Sequence, residues 1–222
     1  MLCYFCLGLL GELKRDVCEQ CRSQVGLQKD SVRIFLEGGE ECLSLFQYSS
    51  FARQLMVMVK IRSSHVVMAG LFHLGRQSQS LSRYFDGVDV IVPVPSSLWG
   101  RCRGKVDVAS AWATWLSHEF GVLCHHLPRR FYFWRWRKRA LIKVDRRFKH
   151  DEGDGKRSVN MTYRFGDLLN IREENCTLRV LLVDDIVTTG SSLATVSRAL
   201  RGRNVHVKCL TLFAAGSFIG RD

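Results

Sequence analysis

Two spacings of apolar residues take turns along this chain. Val180-Leu181-Leu182-Val183 are four apolar residues in a row, entered from Arg179 and ended by Asp184 and Asp185. Such a run predicts a strand over Arg179 to Val183, buried on both faces of a parallel sheet. Val88 to Val94, closed by Pro93-Val94-Pro95, and Val205 to Ala214 predict two further strands. Helical spacing fills the intervals. Tyr48, Phe51, Leu55, Met58 and Val59 form one apolar stripe over residues 48–61. Similar patterns cover Ser64 to Gly75, Val106 to Phe120 and Leu193 to Leu200, the last with Gly202 as a C-terminal stop. Residues 32–47 read as two short strands about a turn at Gly38-Gly39. Strands alternating with helices predict an α/β fold with a doubly wound, mostly parallel sheet.

A length of 222 residues with 46% apolar content supports one medium domain and a small appendage. We divide the chain at residue 30, with 1–30 as the appendage and 31–222 as the main domain. No apolar stretch reaches the length of a membrane span, so no membrane insertion is expected. The start, Met1-Leu-Cys-Tyr-Phe-Cys6, has no basic segment ahead of an apolar one and does not read as a signal peptide. A cytoplasmic location follows as the expectation, with the nine cysteines serving as metal ligands or free thiols.

The cysteines are unevenly placed. Cys3-x2-Cys6 and Cys18-x2-Cys21 are two knuckles with eleven residues between them, the spacing of a zinc ribbon. Four thiolates complete a tetrahedral Zn2+ site and leave no open position, so the ion is expected to be structural. The intervening residues are too few and too polar to form a core alone, so the metal would hold this piece folded. Cys42, Cys102, Cys124, Cys176 and Cys209 stand singly and are expected to behave as small buried apolar residues.

Beyond Asp184 and Asp185 lies a loop of small residues, Thr188-Thr189-Gly190-Ser191-Ser192, which opens the last helix. Gly190 permits close backbone approach, the hydroxyls line a concavity, and the helix dipole favours a phosphate there. Phosphate alone would be repelled by two adjacent acids. Carboxylates beside a phosphate cradle suit a phosphorylated sugar, whose hydroxyls they accept, or a divalent metal accompanying a diphosphate. The loop is neither a Walker A motif nor GxGxxG. The run Val-Asp-Asp-Ile-Val-Thr-Thr-Gly-Ser-Ser from Val183 to Ser192 closely resembles the signature of type I phosphoribosyltransferases. The resemblance implies that fold and the ligand 5-phosphoribosyl-1-diphosphate (PRPP) with Mg2+. It also implies that Asp184 and Asp185 hold the ribose hydroxyls and that Thr188, Thr189, Gly190, Ser191 and Ser192 hold the 5′-phosphate.

The strand Val88 to Val94 also runs through a loop into a helix, and that loop carries Arg101, Arg103 and Lys105. If both loops lie at one sheet edge, the basic one faces the acidic one across a crevice and could hold the diphosphate. The order of features now resembles a narrower group, the ComF family. It comprises the four-cysteine module, Phe46-Gln-Tyr48, the helix of Lys60, Val-Pro-Val-Pro, Arg103-Gly104, Arg157-Ser-Val-Asn160 with Phe165, and the Asp-Asp loop. After Arg103-Gly104 the chain continues Lys105-Val106-Asp107 instead of that family's usual Phe-Asn-Gln. This resemblance implies a part in DNA uptake during natural competence, with a competence helicase machinery as partner. Phosphoribosyl transfer would be to an acceptor the sequence does not name, and no acid, base or nucleophile can be picked out.

Net charge is +12, and much of the excess lies in residues 129–149, where ten Arg and Lys face a single acid, Asp145. Phe131, Tyr132, Phe133, Trp134, Trp136 and Phe148 are interleaved with them. Cations neutralise phosphates while aromatic faces stack on unpaired bases. Trp134, Arg135, Trp136, Arg137, Lys138 and Arg139 are thus a candidate surface for single-stranded DNA. The rival reading of the whole chain is a single-stranded nucleic-acid-binding protein in which PRPP is a regulatory or relic ligand. Changing Trp134, Arg135, Trp136 and Arg137 together to Ala is expected to weaken single-stranded DNA binding measured by fluorescence anisotropy, each lost stacking contact being worth about 1–3 kcal/mol. Unchanged affinity would remove this surface from consideration.

Overall fold

The structure is a computed structural model, and the residues it describes are 3–7, 16–36, 39–95, 105–127, 177–200 and 204–215. In chain order the elements are α1 (Glu19–Val25), β1 (Leu27–Phe35), β2 (Glu41–Gln47), α2 (Ser50–Lys60), α3 (His65–Arg76) and α4 (Gln79–Tyr84). There follow β3 (Val90–Pro93), α5 (Val108–Phe120), β4 (Leu123–Cys124), β5 (Leu178–Val187), α6 (Ser191–Leu200) and β6 (Val205–Ala214).

The strands make one sheet in the order β1-β2-β6-β5-β3-β4. Among the described strands only the β1–β2 pairing is antiparallel; β2, β6, β5, β3 and β4 run parallel. β5 sits between β6 and β3, with Val180 in register with both Val207 and Val90. Its side chains part to two cores. Leu181 and Val183 join Leu55, Leu71, Trp112 and Leu116 of α2, α3 and α5. Val180 and Leu182 join Leu193, Val196 and Leu200 of α6. Helices therefore cover both faces, which is why the central strand reads as a continuous apolar run. This is the mostly parallel α/β arrangement expected from the sequence.

Local signals set the helix starts. Ala52 N–H donates to Ser49 Oγ at 3.2 Å, Val67 N–H to Ser64 Oγ at 3.4 Å, and Ser110 N–H to Asp107 Oδ1 at 3.2 Å. Each is an N-cap that satisfies a first-turn amide. Three features differ from the periodicity reading. β5 continues through both acids to Val187 instead of ending at Val183, because Asp184, Ile186 and Val187 still pair with Thr211, Phe213 and Ala214 of β6. α6 begins at Ser191, not Leu193. α1, α4 and β4, at seven, six and two residues, are too short to show a period. Among the described residues no helix is long and apolar enough to cross a membrane.

The cysteine module is built into the main core. Cys3, Phe5, Val17, Cys21 and Val25 are buried in the same cluster as Leu71 and Phe213, and β1 runs straight through residue 30. The seat is Gly70 of α3. A Cβ there would come within 2.5 Å of Tyr4 Cβ and 2.7 Å of Phe5 Cε1. Only a residue without a side chain lets the first knuckle lie on the helix. Polar contacts edge the seat, with Arg22 Nη1 donating to Gln77 Oε1 at 2.6 Å and Asp16 3.3 Å from His73 Nε2. Gly70→Val is expected to overpack this junction and destabilise the protein by about 1–3 kcal/mol. A thermal melt superposing on that of the unaltered protein would show that the module does not rest on α3.

Candidate functional site

Two constellations carry chemistry. The first is the cysteine module, where the four Sγ atoms of Cys3, Cys6, Cys18 and Cys21 all lie within 4.8 Å of one another. Cys6 Sγ and Cys18 Sγ are 3.8 Å apart, and a tetrahedron with metal–sulfur bonds of about 2.3 Å has edges of roughly that length. The amides of Phe5 and Cys18 each donate to Cys3 Sγ at 3.4 Å. Burial raises the Cys3 thiol, but amide donors from Cys6, Cys18 and Phe5 outweigh it and bring the group down to about 6. Cys21 is pushed far up by burial and by its neighbours Cys18, Cys6 and Cys3. Four thiolates this close repel one another, and a cation among them removes the conflict. The cluster could hold a metal ion such as zinc, closed to any fifth ligand.

The second lies at the carboxyl edge of the sheet. β3 leads through α5 outward to β4, while β5 leads through α6 the other way to β6. Neighbouring strands whose chains leave in opposite directions open a crevice between their carboxyl ends. Val94 N–H donates to Val183 O at 2.7 Å where the two strands part. The carboxyl ends of β3 and β5 therefore stand at such a switch point.

On the β5 side, Asp184 and Asp185 are the last polar residues before the loop, both half-buried. Successive side chains on a strand point to opposite faces. Asp185 reaches Lys60 at the end of α2 and forms an ion pair with its Nζ. Asp184 accepts from the Asp185 amide at 2.9 Å and stands beside Thr211 in register. On that side burial, and then the charges of Asp184 and Glu41, push the buried Cys42 thiol up to about 12. Burial, then Cys42, Glu40 and Asp184, raise Cys209 as well. These two cysteines stay neutral and pack as apolar residues. Cys124 is only half-buried, and Cys102 and Cys176 lie outside the described residues.

The loop is ordered by one hydroxyl and by the first turn of α6. Ser191 N–H donates to Thr189 Oγ1 at 3.4 Å, and Ala194 N–H donates to Gly190 O at 2.8 Å, the first turn of α6. Thr188, Thr189 and Ser191 are exposed and Ser192 is half-buried. Gly190 has φ +69°, and a Cβ on it would lie 2.5 Å from Leu36 Cδ2. Leu36, at the end of the β1–β2 hairpin, thus forms the wall behind the loop. From the same hairpin, buried Glu40 accepts from Ser197 Oγ of α6 at 2.6 Å. Sequence reasoning singled out neither contact, because hairpin and helix are about 150 residues apart.

On the β3 side, Lys105 is exposed, and the next residue's amide, Val106 N–H, donates to Lys60 O at 3.4 Å. Arg101 and Arg103 lie outside the described residues, as do Trp134 to Arg139, Arg157, Asn160 and Phe165.

Residues 137–221 match the family of the phosphoribosyl transferase domain. The matched span contains β5, both acids, the 188–192 loop, α6 and β6. It starts beyond the cysteine module and the Val-Pro-Val-Pro strand, so those parts fall outside the phosphoribosyl transferase match. No curated protein matches the chain.

Metal analysis of the purified protein is expected to give close to one zinc per chain. Cys6→Ser with Cys18→Ser should drop that value sharply and lower the melting temperature, since the metal helps hold the module folded. Far less than one zinc in unaltered protein would remove the metal reading.

Proposed function

We propose that this chain binds Mg-PRPP at the crevice between β3 and β5 and transfers its phosphoribosyl group to an acceptor. One observation carries the reading: an acid-bearing central strand runs directly into a hydroxyl-lined loop and helix start, inside the span that matches a phosphoribosyl transferase domain. The 5′-phosphate would sit on Thr188 to Ser192, where first-turn amides and the helix dipole meet it. Asp184 and Asp185 would accept from the ribose hydroxyls, one from each side of the strand end. Their hard oxygen atoms also suit Mg2+, which would offset the charge of the diphosphate. Lys105, with Arg101 and Arg103, would receive the diphosphate from the β3 side. In the transfer, the bond from C1 to the diphosphate oxygen breaks and its electron pair leaves with diphosphate. The acceptor supplies the lone pair that forms the new bond at C1. The chain's contribution is to position the ligand and complement developing charge, with no covalent intermediate on the protein.

The ordered features before the matched span support a ComF-type protein acting in DNA uptake. The basic, aromatic stretch 129–149 supports single-stranded DNA as a partner, and with it the reading in which PRPP only regulates binding.

Calorimetric titration with Mg-PRPP should give saturable binding to unaltered protein. Asp184→Asn with Asp185→Asn should weaken it at least tenfold, about 1.4 kcal/mol. Both side chains stand at a half-exposed strand end, so the variant should still fold, as checked by circular dichroism. No binding by unaltered protein would overturn the proposal. Binding without diphosphate release against a panel of bases, nucleotides and DNA, alongside salt-sensitive DNA affinity, would favour the regulatory reading.

A further inference from the structure

Lys60 Nζ is paired with Asp185 Oδ2 across the space between α2 and the end of β5. The pair is not deeply buried: the Lys60 side chain is 33% exposed and that of Asp185 16%. Lys60 ends α2, and its carbonyl receives the Val106 amide from the segment that closes the loop after β3. The same residue therefore touches the end of β5 through its ammonium and, through its carbonyl, the residue that follows Lys105. Its cation stands beside one of the two acids given to the ribose hydroxyls above.

We infer that Lys60 is a further ligand-site residue: it neutralises Asp185 in the free protein and moves to the diphosphate when Mg-PRPP enters. The inference rests on the PRPP reading and goes beyond it by naming what selects the ligand. A carboxylate engaged by an ammonium is less available to a sugar hydroxyl or a metal. A ligand that brings its own anion to receive that ammonium frees the carboxylate as it binds. A ligand without such an anion must break the pair uncompensated. Lysine suits this exchange because its charge is a point at the end of a flexible four-carbon stem. The arrangement thus favours a sugar phosphate bearing an anomeric diphosphate over the same sugar phosphate without one. During transfer the ammonium sits where negative charge grows on the departing diphosphate oxygen.

The test compares Lys60→Met with unaltered protein, titrated at fixed ionic strength with Mg-PRPP, with Mg-diphosphate and with ribose 5-phosphate. Lys60→Met is expected to weaken Mg-PRPP and Mg-diphosphate about tenfold or more, the size of a lost hydrogen bond to a charged group. Ribose 5-phosphate should bind unchanged or more tightly, because Asp185 is then released from its partner. Lys60→Arg should recover most of the PRPP affinity. Equal losses for PRPP and ribose 5-phosphate would overturn the inference and leave Lys60 as a residue that only orders Asp185. Unchanged PRPP affinity in Lys60→Met would overturn it too. If unaltered protein bound none of the three ligands, the PRPP reading itself would fall and this inference with it. Should Lys60→Met melt below the assay temperature, Lys60→Gln carries the same comparison.

Discussion

The described residues are arranged around a central strand whose middle, Val180 to Val183, has water on neither face. β5 is hydrogen-bonded to β3 on one side and β6 on the other, with α6 against one face and α2, α3 and α5 against the other. Its peptide groups are satisfied by the neighbouring strands, and its side chains are held in two packed cores. Charge is intolerable along its middle, where desolvation would not be offset. It becomes tolerable only at the carboxyl end, where the sheet opens. The acids, the hydroxyl loop and the helix start are therefore collected at one point by the same burial that stabilises the strand.

That point is supported from behind by a hairpin far away in sequence. Leu36 fills the space where Gly190 has no side chain, and Glu40 holds α6 through Ser197. The 188–192 loop thus has its position set by contacts on a different element. The cysteine module plays a comparable part on the opposite face. Its first knuckle rests on Gly70 of α3, the helix that packs beside α2, and α2 carries Lys60. The four-cysteine piece and the ion pair at the end of β5 thus belong to one continuous packed layer.

Much of this was legible in the residues. Four apolar residues before two acids, then Thr-Thr-Gly-Ser-Ser, mark a buried strand that leads through a small-residue loop into a helix, and β5 and α6 are placed so. The spacing Cys3-x2-Cys6 and Cys18-x2-Cys21 marks four thiols as one group, and their sulfurs lie within 4.8 Å of one another. Less was legible where length or distance defeats periodicity. α1, α4 and β4 are too short to show a repeat. The end of β5 was read too early because acids usually mark a boundary, whereas pairing with β6 carries the strand on to Val187.

By itself, then, the order of residues determined the kinds of element, the candidate ligands and the chemistry each could perform, since these depend on local spacing and side-chain type. Tertiary structure alone decided which groups meet. It put β3 beside β5, turned Asp184 and Asp185 towards different neighbours, and brought Lys60 from a helix about 125 residues away onto one of them. The reason is physical: a side chain's type is written at its own position, but its partner is chosen by the packing of both cores at once.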